Sequence, residues 1–272
     1  LHVLQSEEAR AEARVLMRVQ EHILSPRFGG PVIGGIHDHI TGAFLLTYKD
    51  SKFTKEETEY ILSKIGVMEL PPPAIKKGGQ ESWTGKQIFS MILPKDLSLT
   101  FKASIAPKGQ IGLKELREED GLVVVKNGEL LAGTIDENAI GAMKGKILDK
   151  IARDYGPDAA RELIDKATKI AIGAIMVRGF TTGIDDEDIP EEAKKQIAEI
   201  LRKAVADVES LVEAYKRGEL EQMPGRSLEE TLEVDAMKAL GRARDQAGQI
   251  ASKHRGMENS AVIMARSGAR GS

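Results

Sequence analysis

Apolar residues Ile197, Leu201, Ala204, Val208, Leu211 and Tyr215 recur at alternating spacings of four and three. That heptad seam puts one apolar stripe along a helix and asks for a single antiparallel partner. Pro190 opens the predicted helix, which continues to about Lys216, and Gly218, Pro224 and Gly225 make the reversal. Ser227-Leu-Glu-Glu230 reads as a capping box, so a returning helix is expected over 228–253. The hairpin, 190–253, is the strongest pattern in the chain. Upstream, the helical period holds from about Gly141. It predicts a helix over 142–155, a stop at Gly156-Pro157, and a new helix with Asp158 in its first turn. That helix runs to about Val177 and halts at Gly179, before a polar, acidic loop over 181–188.

The first half is less regular. Leu1–Leu4 reads as a short strand, and Ser6 as the N-cap of a helix over 7–20, with Glu7 and Glu8 suited to the helix dipole. Residues 25–50 carry Gly29, Gly30, Gly34, Gly35 and Gly42 with Pro26 and Pro31, a composition of loops and tight turns. Thr54-Lys-Glu-Glu57 is a second capping box and predicts a helix over 54–65. Pro71-Pro72-Pro73 then breaks regular structure. Residues 87–93 and 97–101 read as strands. Leu122–Val125 and Leu130–Ile135 flank Asn127-Gly128, the dipeptide of a type I′ hairpin turn. The predicted class is α+β: an irregular, strand-containing half followed by a helical half, with no internal repeat.

Composition narrows the picture. The chain has 272 residues, 41% hydrophobic but only 4% aromatic, so the core should be aliphatic with methionine filling. Its 39 basic and 42 acidic residues leave a net charge of −3. No global positive field draws in nucleic acid, and any such contact must be local. The absence of cysteine excludes disulfides and thiolate zinc sites and suits a reducing cytoplasm. No stretch approaches the ~20 apolar residues that span a bilayer, so no membrane partner is expected. The start at Leu1 with a strand, and without a signal peptide, reads as an excised fragment.

Candidate chemistry is sparse. No serine sits in a nucleophile elbow and no acid/base pair stands out. His37-Asp38-His39 invites a metal, but i and i+2 imidazoles share a face only on a strand, and a structural role is favoured. The Gly29-Gly30 and Gly34-Gly35 pairs fit neither a P-loop nor a dinucleotide fingerprint. Asp185-Asp186-Glu187-Asp188 could chelate a hard cation, although it serves the dipole of the following helix as well. Trp83 reads as a core anchor rather than a base-stacking platform. At the C-terminus, Ser267-Gly-Ala-Arg-Gly-Ser272 sets one guanidinium, Arg270, between Gly268 and Gly271. Glycines allow backbone to approach a ligand, and arginine offers a planar fork of donors to phosphate oxygens. A flexible tail is the alternative.

These segments carry a resemblance. The end of the chain, Asn259, an apolar run and S-G-A-R-G-S, is similar to the segment before the bridge helix in the largest subunit of multisubunit RNA polymerases. The opening L-H-V-L-Q-S-E-E-A-R-A-E resembles the sequence that follows that subunit's metal-binding motif. Between them, S-P-R-F-G-G-P-V-I-G-G-I-H-D-H-I-T-G-A-F-L-L-T (25–47), W-T-G-K-Q-I-F-S (83–90), G-F-T-T-G-I-D-D (179–186) and A-R-D-Q-A-G (243–248) fall in family order. The resemblance covers essentially the whole chain and is nearest the archaeal form.

The resemblance implies a division into 1–24, the tail of the catalytic barrel, 25–140, a pore region, and 141–272, a funnel region around a secondary channel. It implies nucleotidyl transfer by the complete enzyme, with magnesium held upstream of this chain and none bound here, so that the isolated chain is inactive. Other polymerase subunits, a transcript cleavage factor, nucleoside triphosphates, DNA and RNA are the implied partners. Arg270 matches the basic residue near the incoming triphosphate, Arg244 an arginine near the bridge helix, and Asn259 an asparagine that organises the turn beside the apolar run. For Arg244, a surface ion pair with a neighbour such as Asp245 is the alternative. For the whole chain, the rival class is a free-standing helical module that binds a protein through its hairpin.

Overall fold

The computed structural model describes residues 2–77, 80–106 and 120–271. Leu1 and Ser272, the outer ends of the two terminal motifs, lie outside them. The chain divides into two compact units, one of residues 1–181 with 263–272, the other of residues 182–262.

In the first unit the chain forms α1 (Glu7–Val15), α2 (Asp38–Thr47), β1 (Lys52–Phe53), α3 (Lys55–Ser63), β2 (Ile75–Lys77) and β3 (Gln80–Thr84). It continues through α4 (Gly85–Ser90), β4 (Leu99–Lys102), β5 (Leu122–Lys126), β6 (Glu129–Ala132), α5 (Glu137–Ile140), α6 (Lys146–Asp154) and α7 (Pro157–Arg178). Two small antiparallel sheets result, in the orders β1-β3-β2 and β4-β5-β6. The helix–sheet mixture is α+β, as the pattern of periods predicts.

Helices α2 and α7 form the backbone of this unit. Phe44 and Leu46 of α2 and Ile170 and Ala171 of α7 are buried. Gly42 lets the two helices touch main chain to side face: a Cβ there would lie 2.6 Å from the carbonyl carbon of Ala171. Helix α3 joins them behind its capping box, in which Glu57 N–H donates to Thr54 Oγ1 (3.3 Å) and Thr54 N–H to Glu57 Oε2 (2.8 Å). Trp83 is buried, and its indole N–H donates to the Pro71 carbonyl at 2.6 Å, which ties the proline run to the core.

Asn127 (φ 51°) and Gly128 (φ 75°) make the β5–β6 turn with the two positive φ values that type I′ demands. Strand β6 stops at Ala132 rather than Ile135, because Gly133 (φ 89°) turns under β5, where a Cβ would lie 2.5 Å from the Leu122 carbonyl oxygen. Pro157 begins α7, and Gly179 (φ 72°) ends it.

Four expectations fail locally. Residues 87–93 are α4 and the turn after it, not a strand. Thr84 and Gln87 form a capping box there, and Ile88, Phe89, Ile92 and Leu93 are buried at helical rather than alternating spacing. Residues 2–4 form no ladder. Helix α1 ends at Val15 instead of Gln20: it buries no residue, so nothing holds it beyond Arg18, whose backbone is extended before a 3-10 turn over Val19–His22. The helix expected from 142 starts at Lys146, because Met143 takes φ 69° and interrupts the period.

In the second unit, a 3-10 turn (Ile184–Glu187) leads to α8 (Glu191–Arg217) and α9 (Leu228–His254). They make the expected antiparallel hairpin, reversed at Gly218 in the left-handed region (φ 70°) and restarted by the Ser227/Glu230 capping box. Thr231 stitches the reversal: its hydroxyl donates to the Ser227 carbonyl and accepts from Met223 N–H. The seam agrees with expectation at Ile197, Ala204, Val208 and Leu211, which are buried or half-buried, and departs from it at Leu201 and Tyr215. Leu201 is 50% exposed and Tyr215 36%, whereas Ala193 and Ala204 on α8, with Ala239 and Ala243 on α9, are buried. Small side chains set the close approach, and Ile200 takes the half-buried place expected for Leu201. The chain then enters α10 (Ser260–Ser267). Among the described residues no helix is long and apolar enough to cross a membrane.

Candidate functional site

The end of α10 is shaped by what its carbonyls need. Past the last turn they lack intrahelical donors. Gly268 N–H donates to the Ala265 carbonyl (3.3 Å) and Arg270 N–H to the Met264 carbonyl (3.1 Å), while Ser267, fully buried, donates its hydroxyl to Met264 (3.2 Å). Reversing the chain this tightly puts Gly268 at φ 77° and Gly271 at φ 79°, the left-handed region that favours glycine. Space makes the same demand at Gly268, where a Cβ would lie 2.5 Å from Glu137 Oε2 and 2.6 Å from Glu137 Cβ.

Arg270 is therefore held by its backbone on both sides. Its side chain is exposed, and its Nε–H donates to His37 Nδ1 at 3.1 Å. Among the described residues the guanidinium has no ion pair, and both terminal amino groups are left for a ligand. His37 sits immediately before α2 with φ 48° and ψ −115°, and its carbonyl accepts from Ile40 and Thr41 N–H. This arrangement favours an oxyanion ligand at the guanidinium face.

Beneath this corner, Asp136 caps α5, the helix that carries Glu137 against Gly268. The buried Asp136 accepts from Ser104, Ile105 and Asn138 N–H. Burial pushes its carboxyl up to about 7, against the pull of those three donors. A sequence signal marks it: Asp136-Glu-Asn opens a helix just past a strand, an N-cap position. The His37–Arg270 contact had no sequence signal.

Asn259 and Arg244 lie in the second unit. Asn259 caps α10: its Oδ1 accepts from Val262 N–H (3.1 Å) and its Nδ2 donates to the Asp186 carbonyl (2.7 Å). Arg244 is on the exposed surface of α9, with its guanidinium on Asp245 Oδ1 at 2.8 Å. Three of the four carboxylates of the acidic loop have local partners. Asp186 accepts from Gly183 N–H, Glu187 pairs with Arg255, and Asp188 lies 3.7 Å from Lys194. Among the described residues, no group of three or more His, Cys, Asp or Glu could hold a metal ion. The described residues therefore offer no cluster that fits magnesium.

The sequence pattern of RNA polymerase Rpb1, domain 3, matches residues 22–187, well over half of the chain. The chain belongs to the RNA polymerase Rpb1 family. The pattern of Rpb1, domain 4, matches residues 212–272, so the hairpin's second half, α10 and the Arg270 segment fall within the family too. The chain is 57% identical over 273 residues to DNA-directed RNA polymerase subunit Rpo1N of Methanothermobacter thermautotrophicus, covering all of this chain and 31% of that protein. It is 53% identical to the Rpo1N of Methanocaldococcus jannaschii (20% of that protein covered) and 49% to that of Thermococcus celer (32%). The chain thus spans about a third, or less, of the length of these relatives.

Proposed function

We propose that this Rpb1-family chain is the pore-and-funnel section of the large subunit of an archaeal-type DNA-directed RNA polymerase, at work in template-directed RNA synthesis. The observation that carries the reading is the family match across the chain, which ends on the Arg270 segment. Residues 1–24 would continue from the catalytic barrel, 25–140 line the pore, and 141–272 form the funnel of the secondary channel. The hairpin of α8 and α9 offers a transcript cleavage factor exposed apolar side chains on each helix, Leu201 and Val205, Met237 and Leu240. Other polymerase subunits, DNA and RNA complete the assembly, and metal-dependent nucleotidyl transfer belongs to residues outside this chain, which is inactive alone.

Within that assembly Arg270 contacts the phosphates of the incoming nucleoside triphosphate. Its support is geometric: a guanidinium anchored through Nε, with no competing carboxylate among the described residues, keeps its Nη donors for phosphate oxygens. A preorganised donor that meets developing charge out of water contributes about 2–4 kcal/mol to the transition state. Arg244 faces the bridge-helix side, and Asn259 holds the turn that delivers α10.

The test is a reconstituted polymerase carrying Arg270→Ala, assayed for single-nucleotide addition over a range of triphosphate concentrations. Loss of rate or affinity by about 100-fold, with assembly intact, is expected for one such donor. Unchanged kinetics in an assembled enzyme would sink the assignment.

A further inference from the structure

The orientation of Arg270 rests on a residue far away in sequence. An arginine Nε–H only donates, so the 3.1 Å contact requires His37 Nδ1 to present its lone pair, with the ring proton on Nε2. The same Nδ1 lies 3.3 Å from the Ala269 carbonyl. A ring protonated at Nδ1 would donate to that carbonyl and give up Arg270. The tautomer therefore decides whether the guanidinium is anchored.

His37 is itself fixed. Its backbone, at φ 48° and ψ −115°, lies outside the three regions open to an L-residue. It is locked there by the first turn of α2, where Ile40 and Thr41 N–H each donate to its carbonyl at 3.0 Å. A non-glycine residue held in a strained conformation beside a guanidinium with no ion pair among the described residues is a feature that fold alone does not need.

We propose that His37 is a positioning residue: its neutral imidazole, accepting at Nδ1, sets the Arg270 side chain so that the Nη donors face the phosphate ligand. This rests on the reading of Arg270 as a phosphate contact. His37 touches no reacting atom and acts only through Arg270.

Two substitutions separate this role from a folding role. Glycine adopts φ 48° without a side-chain clash, so His37→Gly removes the acceptor while easing the backbone. In His37→Asn the amide oxygen stands near the place of Nδ1, and the side chain asks no more of the backbone at this position than histidine does. In a reconstituted polymerase, His37→Gly should lower single-nucleotide addition by about 10-fold to 100-fold, the cost of a misplaced polar group. His37→Asn should recover most of that loss. In the Arg270→Ala background, His37→Gly should cause no further loss. The positioning role is overturned if Arg270→Ala loses rate while His37→Gly does not, or if the two losses multiply. Should Arg270→Ala itself leave addition unchanged, the phosphate contact falls, and this role falls with it.

Discussion

Replacing Gly42 by alanine puts a methyl group where α7 already stands. The added Cβ would lie 2.6 Å from the Ala171 carbonyl carbon and 2.9 Å from its Cα, and ordinary contact begins near 3.4 Å. All of these are main-chain atoms inside a helix, so no side chain can swing aside. Relief requires α2 and α7 to part by roughly 1 Å, which loosens Phe44, Leu46 and Ile170 along the same interface. Overpacking of this kind costs about 1–3 kcal/mol, and backbone partners place it at the upper end. Against this, alanine gains about 0.8–1 kcal/mol in helix propensity over glycine. The contact should win, leaving Gly42→Ala less stable by about 1–2 kcal/mol. Trp83, the sole tryptophan, is buried in the same unit, so urea denaturation followed by its fluorescence reports the relevant transition. Gly241→Ala and Gly248→Ala on α9 are the internal control. A Cβ at either meets nothing within 4 Å, so each should stabilise the hairpin, by about 0.5–1 kcal/mol, in far-UV circular dichroism. A Gly42→Ala chain that unfolds at the same or higher urea than the parent would refute the reasoning.

Two further outcomes are expected. Asp136 has its folded-state pKa raised from 3.8 to about 7, so its favourable contribution is fully present below about pH 3.8 and is lost as pH rises through about 7. At ~1.4 kcal/mol per unit, the stability of Asp136→Asn relative to the parent should improve by a few kcal/mol between pH 4 and 8, read by the same Trp83 transition. A pH-independent difference would show that the carboxyl titrates normally. Gly268→Ala meets both a φ of 77° and Glu137, whereas Gly271→Ala meets a φ of 79° with only Ala265 Cβ at 3.9 Å. In reconstituted polymerase, Gly268→Ala should therefore slow nucleotide addition the more of the two, and equal effects would argue against the Glu137 contact as the constraint.

Much of the fold was legible because its signals are local. The capping boxes at Thr54 and Ser227, the Asn127-Gly128 turn and the Gly156-Pro157 restart each involve backbone groups within four residues of one another. Helix α4 departs from the strand expected there for the opposite reason. Its Thr84/Gln87 box is as local as the others, but the apolar run from Ile88 to Leu93 suits a buried strand as well as a buried helix, and only packing decides. Along the hairpin the heptad spacing holds at Ile197, Ala204, Val208 and Leu211 and departs at Leu201, where the neighbouring Ile200 takes the half-buried place, and at Tyr215. At the candidate site, the glycines around Arg270 announced the left-handed turns. The partner of its guanidinium could not be read, since His37 and Arg270 are 233 residues apart and a histidine before a helix carries no mark of what its ring will meet.

The contact at Gly42 bears on more than stability. Helix α2 begins at Asp38, directly after His37, and is braced five residues beyond His37 by main chain against α7. A strut clamped that near its tip has little play: it can neither roll nor slide without pushing one helix backbone into another. The imidazole at its tip thus inherits the mechanical tolerance of a backbone contact rather than that of a surface loop. Any widening between α2 and α7 becomes a misalignment at Arg270, so machining error in the core is registered at the site as lost aim.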